Sequence, residues 1–163
     1  MKTLIVYFSY TQKTEKVAKY IQKIIGGDLY EIKPKNDLKE RTNLMWHSLY
    51  LKGVRIKPDI EEKLPNFDDY DKIAIGYPIW WFTAPQYVFS FLDLANLKDK
   101  DIYLFKTSID SDGCKSEQQI AKKLTECRVH SCLDGNNCIE DDVMTWINSN
   151  ELVEIDSKNA DYY

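Results

Sequence analysis

The apolar run Leu4-Ile5-Val6-Tyr7-Phe8 empties directly into Ser9-Tyr10-Thr11-Gln12-Lys13-Thr14, and an amphipathic segment begins at once behind it. An unbroken apolar run of this length reads as a strand buried on both faces, which demands helices on both sides of its sheet. Segment 14–26 supplies the first of them: Val17, Ala18, Ile21, Ile24 and Ile25 recur at helical spacing, and Gly26-Gly27 stop the helix. The turn between strand and helix puts backbone N–H groups and the positive end of a helix dipole at a sheet edge, which suits an anion. Its hydroxyls suit a phosphate that is hydrogen-bonded with little added positive charge. Ser9-Tyr10-Thr11-Gln12 also fits an S-x-x-Q capping box, which closes a helix end without any ligand.

The alternation continues along the chain. Leu29 to Ile32 reads as a short strand ended by Pro34, and 37–52 as a helix stopped by Gly53. An acidic loop with Pro58 and Pro65 leads to a third strand, Lys72 to Tyr77. A helix from Pro85 to Ala95, a strand from Asp101 to Lys106, a helix from Ser116 to Glu126 and a weaker strand from Val129 to Leu133 follow. The last helix spans Glu140 to Asn148, with Val143, Met144 and Ile147 toward the core, and 150–163 form a polar tail beyond a domain of 1–149. Five strands separated by helices predict an α/β fold with a parallel, doubly wound sheet, and 163 residues suffice for one core.

Charge and composition exclude some partners. A net charge of -4 without a basic stripe disfavours nucleic acid. No segment approaches the ~20 apolar residues of a membrane span. The apolar run at the N-terminus is too short for a signal peptide and has no small-residue cleavage site, so the chain reads as cytoplasmic. Cys114, Cys127, Cys132 and Cys138 form no C-x-x-C pair and read as reduced thiols. Cys127-x-x-His130-x-Cys132 with Cys138 offers zinc-ligand types but lacks two regular ligand pairs. Alternation along a strand over 129–133 sets His130 and Cys132 on one face.

In doubly wound sheets ligands bind beyond the carboxyl ends of the strands, so function is expected in the loops leaving strands 1, 3 and 4. Loop one is 9–14. Loop two, Gly76-Tyr77-Pro78-Ile79-Trp80-Trp81-Phe82-Thr83-Ala84-Pro85, offers an aromatic wall for a planar ligand, or else a cover for the core or for another subunit. Loop three, Thr107-Ser108-Ile109-Asp110-Ser111-Asp112-Gly113, offers polar backbone to a heterocycle, or is a solvated turn.

This set of loops resembles the flavodoxin family. The resemblance is closest to a bacterial flavodoxin-like group with Phe8-Ser9-Tyr10-Thr11 as its opening and Gly76-Tyr77-Pro78-Ile79-Trp80-Trp81 as its second loop. Thr107-Ser108 and Asp134-Gly135 also match, and the likeness runs to about Asn148. The resemblance implies a three-layer sandwich with strand order 2-1-3-4-5 and non-covalently bound FMN. It implies that Ser9, Thr11 and Thr14, with the backbone of Tyr10, Gln12 and Lys13, hold the phosphate. Pro78, Ile79, Trp80, Trp81 and Phe82 would flank the isoalloxazine, with Thr107, Ser108, Asp110 and Gly113 at its other edge.

The group usually carries glycine where Gln12 and Phe82 stand, and glycine-rich sequence over 109–112; glycine permits close approach or positive φ. Lys13 adds a cation beside the phosphate site, or is a solvated first-turn lysine. A bulky loop two also makes a backbone rearrangement near the flavin costly. The resemblance implies electron transfer through FMN to a redox protein or small acceptor, as a monomer or homodimer, without dedicated catalytic side chains. Acids at Asp59, Glu61, Glu62, Asp68, Asp69, Asp110 and Asp112 are expected near the cofactor edge, where they would lower its potential and steer a basic partner, or else form a solvated surface. The alternatives are an NAD(P)H:quinone-type reductase and a binding protein of the same fold that has lost its flavin.

Overall fold

The computed structural model describes residues 2–35, 57–61, 63–108, 114–150 and 152. Strand β1 (Thr3–Tyr7) is followed by helix α1 (Lys13–Ile25) and strand β2 (Asp28–Glu31). A 3-10 turn (Phe67–Asp69) precedes β3 (Lys72–Pro78); α2 (Gln86–Leu94), β4 (Asp101–Thr107) and α3 (Cys114–Ala121) come next. The chain closes with β5 (Arg128–Val129), β6 (Leu133–Asp134) and α4 (Glu140–Ser149). The helix expected over 37–52 lies outside the described residues.

All pairings of the sheet are parallel, in the order β2-β1-β3-β4-β5 with β6 also against β4. This is the flavodoxin-like order expected from the sequence. Alternation splits each strand between two cores. Leu4, Val6 and Phe8 point to one face, where Val88, Phe91 and Leu92 of α2 and Ile120 of α3 cover them. Ile5 and Tyr7 point to the other, under Val17, Ala18 and Ile21 of α1 and Val143, Trp146 and Ile147 of α4. Burial on both faces is why Leu4 to Val6 are all apolar, and at about 25 cal/mol per Å² it is the main stabilising term.

The structure corrects several expectations. The fifth strand is two pieces: Ile102 pairs with Val129, but Phe105 pairs with Leu133, so one extra residue enters between them as a bulge. That shift of one residue breaks alternation. His130 stacks on Tyr103 of one core (4.4 Å between centroids, 4° between planes), whereas Cys132 packs against the other. His130 and Cys132 therefore do not share a face, and no group of metal-ligating side chains forms among the described residues. Met144 is 44% exposed, because Val143, Trp146 and Ile147 already occupy the inward face of α4. Leu152, which falls in the expected tail, is buried, and its carbonyl accepts from Lys72 Nζ at 3.2 Å. No described helix is long and apolar enough to cross a membrane.

Candidate functional site

The carboxyl ends of β1, β3 and β4 converge on the three loops. Phe8 N donates to Gly76 O (2.9 Å) and Ile79 N to Thr107 O (2.7 Å), so each loop leaves the sheet beside the next. In loop one the N-cap of α1 is Gln12, at φ 64°, with no side-chain cap. The capping box does not form: Ser9 Oγ accepts instead from Glu15 N (3.3 Å). Among the described residues the backbone N–H groups of Tyr10 to Thr14 have no acceptor, and the first helical bond is Lys16 N to Gln12 O (3.0 Å). Unfilled donors at a helix N-terminus form an anion cradle. Thr11, Gln12 and Lys13 are exposed on its rim. Lys13 makes no ion pair among the described residues. Thr14 is buried (1%), and its hydroxyl hydrogen-bonds the hydroxyl of Thr107 at 2.8 Å. A hydroxyl so engaged keeps hydrogen-bonding capacity for a ligand.

Loop two folds as a two-residue hairpin. Trp80 N donates to Thr83 O (2.8 Å) and Thr83 N to Trp80 O (3.1 Å), with Trp81 and Phe82 between them at φ 54° and 64°. Positive φ at both central residues defines a type I′ turn, which Asn-Gly normally fills. The glycine-like backbone survives at Gln12 and Phe82 without the glycine. Each such residue stores about 1–2 kcal/mol of strain. The two tryptophans do not form one wall. The half-buried Trp80 ring meets Phe8 edge-on (5.5 Å, 84°) and Tyr10 of loop one (6.3 Å, 76°), while Phe8 stacks on Tyr87 (5.2 Å). Trp81 and Phe82 project outward, Phe82 at 65% exposure. A planar ligand would therefore find an aromatic surface at Trp80 and Tyr10 and a solvent-facing rim at Trp81 and Phe82. Thr83 Oγ1 donates to Gln119 of α3 and ties the hairpin down.

In loop three Thr107 is buried and Ser108 half-buried; Asp110 and Gly113 lie outside the described residues. Behind it Lys106 Nζ bonds Glu117 Oε1 at 2.5 Å. Burial pushes the neighbouring Cys132 thiol well up, so it stays neutral. Asn136, whose amide grips Ser108 from the loop after β6, is a functional candidate that sequence reasoning missed; the Asp134-Gly135 turn before it was the available signal.

Two of the acids expected at the cofactor edge lie elsewhere. Asp68 and Asp69 sit in the 3-10 turn at the amino end of β3, whose seven residues carry the chain roughly 20 Å to the site. Asp59 and Glu61 flank the bridge from Ile60 to Pro34, beside β2, interleaved with Lys33, Lys35 and Lys63. Glu62 and Asp112 lie outside the described residues. His130 is also remote: it bonds Asp101 at the amino end of β4 (2.9 Å).

Comparisons with known proteins agree with this geometry. No curated protein matches the chain. Among solved structures, a Bacteroides eggerthii protein provisionally assigned as a flavoprotein is 29% identical, with TM-score 0.79 over 92% of this chain and 98% of its own. A Bacteroides uniformis protein with the same provisional assignment is 28% identical, with TM-score 0.79 over 90% of this chain and 97% of its own. A Lactobacillus acidophilus flavoprotein in complex with FMN shares the fold at 23% identity, with TM-score 0.72 over 89% of this chain and 97% of its own. The family model described as flavodoxin matches residues 2–150, nearly the whole chain, and the protein therefore belongs to the flavodoxin family.

Proposed function

We propose that this chain is a redox protein that carries electrons through a non-covalently bound FMN. The observation that carries the reading is the uncapped, hydroxyl-lined start of α1 standing beside the Trp80–Tyr10 aromatic pair. One end of a ligand can be held as a phosphate and the other as a flat ring. The amides of Tyr10 to Thr14 with Ser9, Thr11 and Thr14 would hold the phosphate, and Lys13 would add charge to that rim. Pro78, Ile79, Trp80, Trp81 and Phe82 would flank the ring, with Thr107 and Ser108 beside its edge. FMN supplies the electron chemistry when bound; the protein contributes orientation and electrostatics.

The positive φ at Gln12 and Phe82 supports this reading over a flavin-less binding protein, because the backbone path that glycine would allow is kept. The exposed Trp81 and Phe82 rim the site where an electron would leave, toward a partner protein or a small acceptor.

An absorbance spectrum of purified protein followed by titration with FMN tests the reading. Flavin bands or stoichiometric uptake are expected, with affinity lowered in Trp80→Ala and Thr14→Ala. A protein that ignores FMN refutes it. Steady NAD(P)H consumption with a quinone, by the protein alone, would replace the carrier by a reductase.

A further inference from the structure

The bulge between β5 and β6 has a consequence at the site. It brings Gly135 against the end of β4, where Gly135 N donates to Lys106 O (2.7 Å). A Cβ at this position would lie 3.0 Å from Lys106 O and Val17 Cγ2 and 3.1 Å from Thr107 Cγ2, so a side chain here would have to press its neighbours back, and glycine lets the chain run close without that. The next residue is thereby set beside Ser108. Ser108 N donates to Asn136 Oδ1 (2.6 Å), and Asn136 Nδ2 donates to Ser108 Oγ (2.8 Å). A backbone N–H can only donate, which fixes which end of the amide faces it. Asn136 is itself held, since its own N–H donates to Asp134 Oδ1 (3.0 Å). The exit of β4 is thus gripped from two sides: Thr107 by Thr14 of loop one, and Ser108 by Asn136 of the loop after β6.

We propose that Asn136 is a positioning residue for cofactor binding, holding Ser108 in the orientation that meets the ring edge. The inference rests on the FMN reading above. Both ends of one amide are engaged on the half-buried Ser108, which fixes its backbone and its side chain together. Such a grip supplies the sub-ångström placement on which ligand contacts depend. It acts on the ring end of the site and not on the phosphate cradle, which is built from β1 and α1.

Wild type, Asn136→Ala and Asn136→Asp are titrated with FMN and with riboflavin, which lacks the phosphate, following flavin fluorescence. Unfolding of the flavin-free protein and the midpoint potential of bound FMN are measured alongside. Asn136→Ala is expected to raise both dissociation constants by the same factor, about 10- to 100-fold for two lost hydrogen bonds. Thr11→Val, at the cradle, should weaken FMN and leave riboflavin unchanged. Asn136→Asp keeps an oxygen on Ser108 N–H and can accept from its hydroxyl, so it should recover most of the affinity. Its added charge beside the ring should lower the potential, a readout that a purely structural role would not move. The inference is overturned if Asn136→Ala binds both flavins as wild type does. It is also overturned if Asn136→Ala merely destabilises the flavin-free protein while Asn136→Asp leaves the potential unchanged. Wild-type protein that takes up neither flavin refutes the functional reading itself, a result distinguishable from both.

Discussion

Replacing Gln12 by glycine should stabilise a position where the chain holds an L-residue in the left-handed region. Gln12 caps α1 at φ 64° and ψ -1°, its side chain is exposed and makes no capping bond, and among the described residues its carbonyl alone is used, by Lys16 N. The left-handed conformation costs an L-residue about 1–2 kcal/mol, which glycine does not incur. Against this, glycine gains about 0.5–1 kcal/mol of freedom in the unfolded chain. The net is about 0.5–1 kcal/mol of added stability, which in a chain of this size raises Tm by roughly 1–4 °C. Gln12→Ala is the control: it keeps Cβ and hence the strain, and should stay within about 0.5 kcal/mol of wild type. Thermal and urea unfolding of the flavin-free protein measure both, with an unchanged denaturant slope showing that the unfolded state is comparable. A glycine variant no more stable than the alanine variant would refute the strain argument.

Other expected outcomes follow from single contacts. Thr14→Val leaves the buried Thr107 hydroxyl without its 2.8 Å partner and should cost about 1–3 kcal/mol in denaturant unfolding, besides weakening FMN uptake. Gly76→Ala would place a Cβ 2.1 Å from the buried Phe105 ring and should destabilise by about 1–3 kcal/mol, with partial recovery in combination with Phe105→Leu; full stability of the single variant would contradict the packing described. Asp101 is held at a pKa of about 2, chiefly by Arg128 and also by His130, although burial opposes this. Since its pKa is depressed on folding, the stability it contributes is present above about pH 4 and lost as pH falls toward 2. Acid unfolding of Asp101→Asn should show a shallower pH dependence across that window.

The strand pattern was legible because burial on both faces leaves little freedom of composition. Leu4 to Phe8, Ile73 to Tyr77 and Ile102 to Phe105 had to be apolar, and parallel strands separated by helices leave few topologies. Loop one was legible for the same local reason: hydroxyls and a helix start lie within six residues. Met144 and the fifth strand misled, since which of several apolar residues faces inward, and where one extra residue enters a ladder, depend on neighbouring strands and not on local sequence. The two tryptophans looked equivalent in order along the chain, yet the hairpin turned Trp80 onto Phe8 and Tyr10 and Trp81 outward.

The sequence by itself determined the layers, the strand order that resemblance suggested, and the three loops that hold the candidate site. Only the tertiary structure decided that Gln12 and Phe82 take up positive φ without glycine, that Thr14 meets Thr107 across 93 positions, and that Asn136 reaches Ser108 across 28. Periodicity and composition are local quantities that a chain must satisfy before it folds. Strain and long-range hydrogen bonds exist only where the packed core holds distant segments together and offsets their cost.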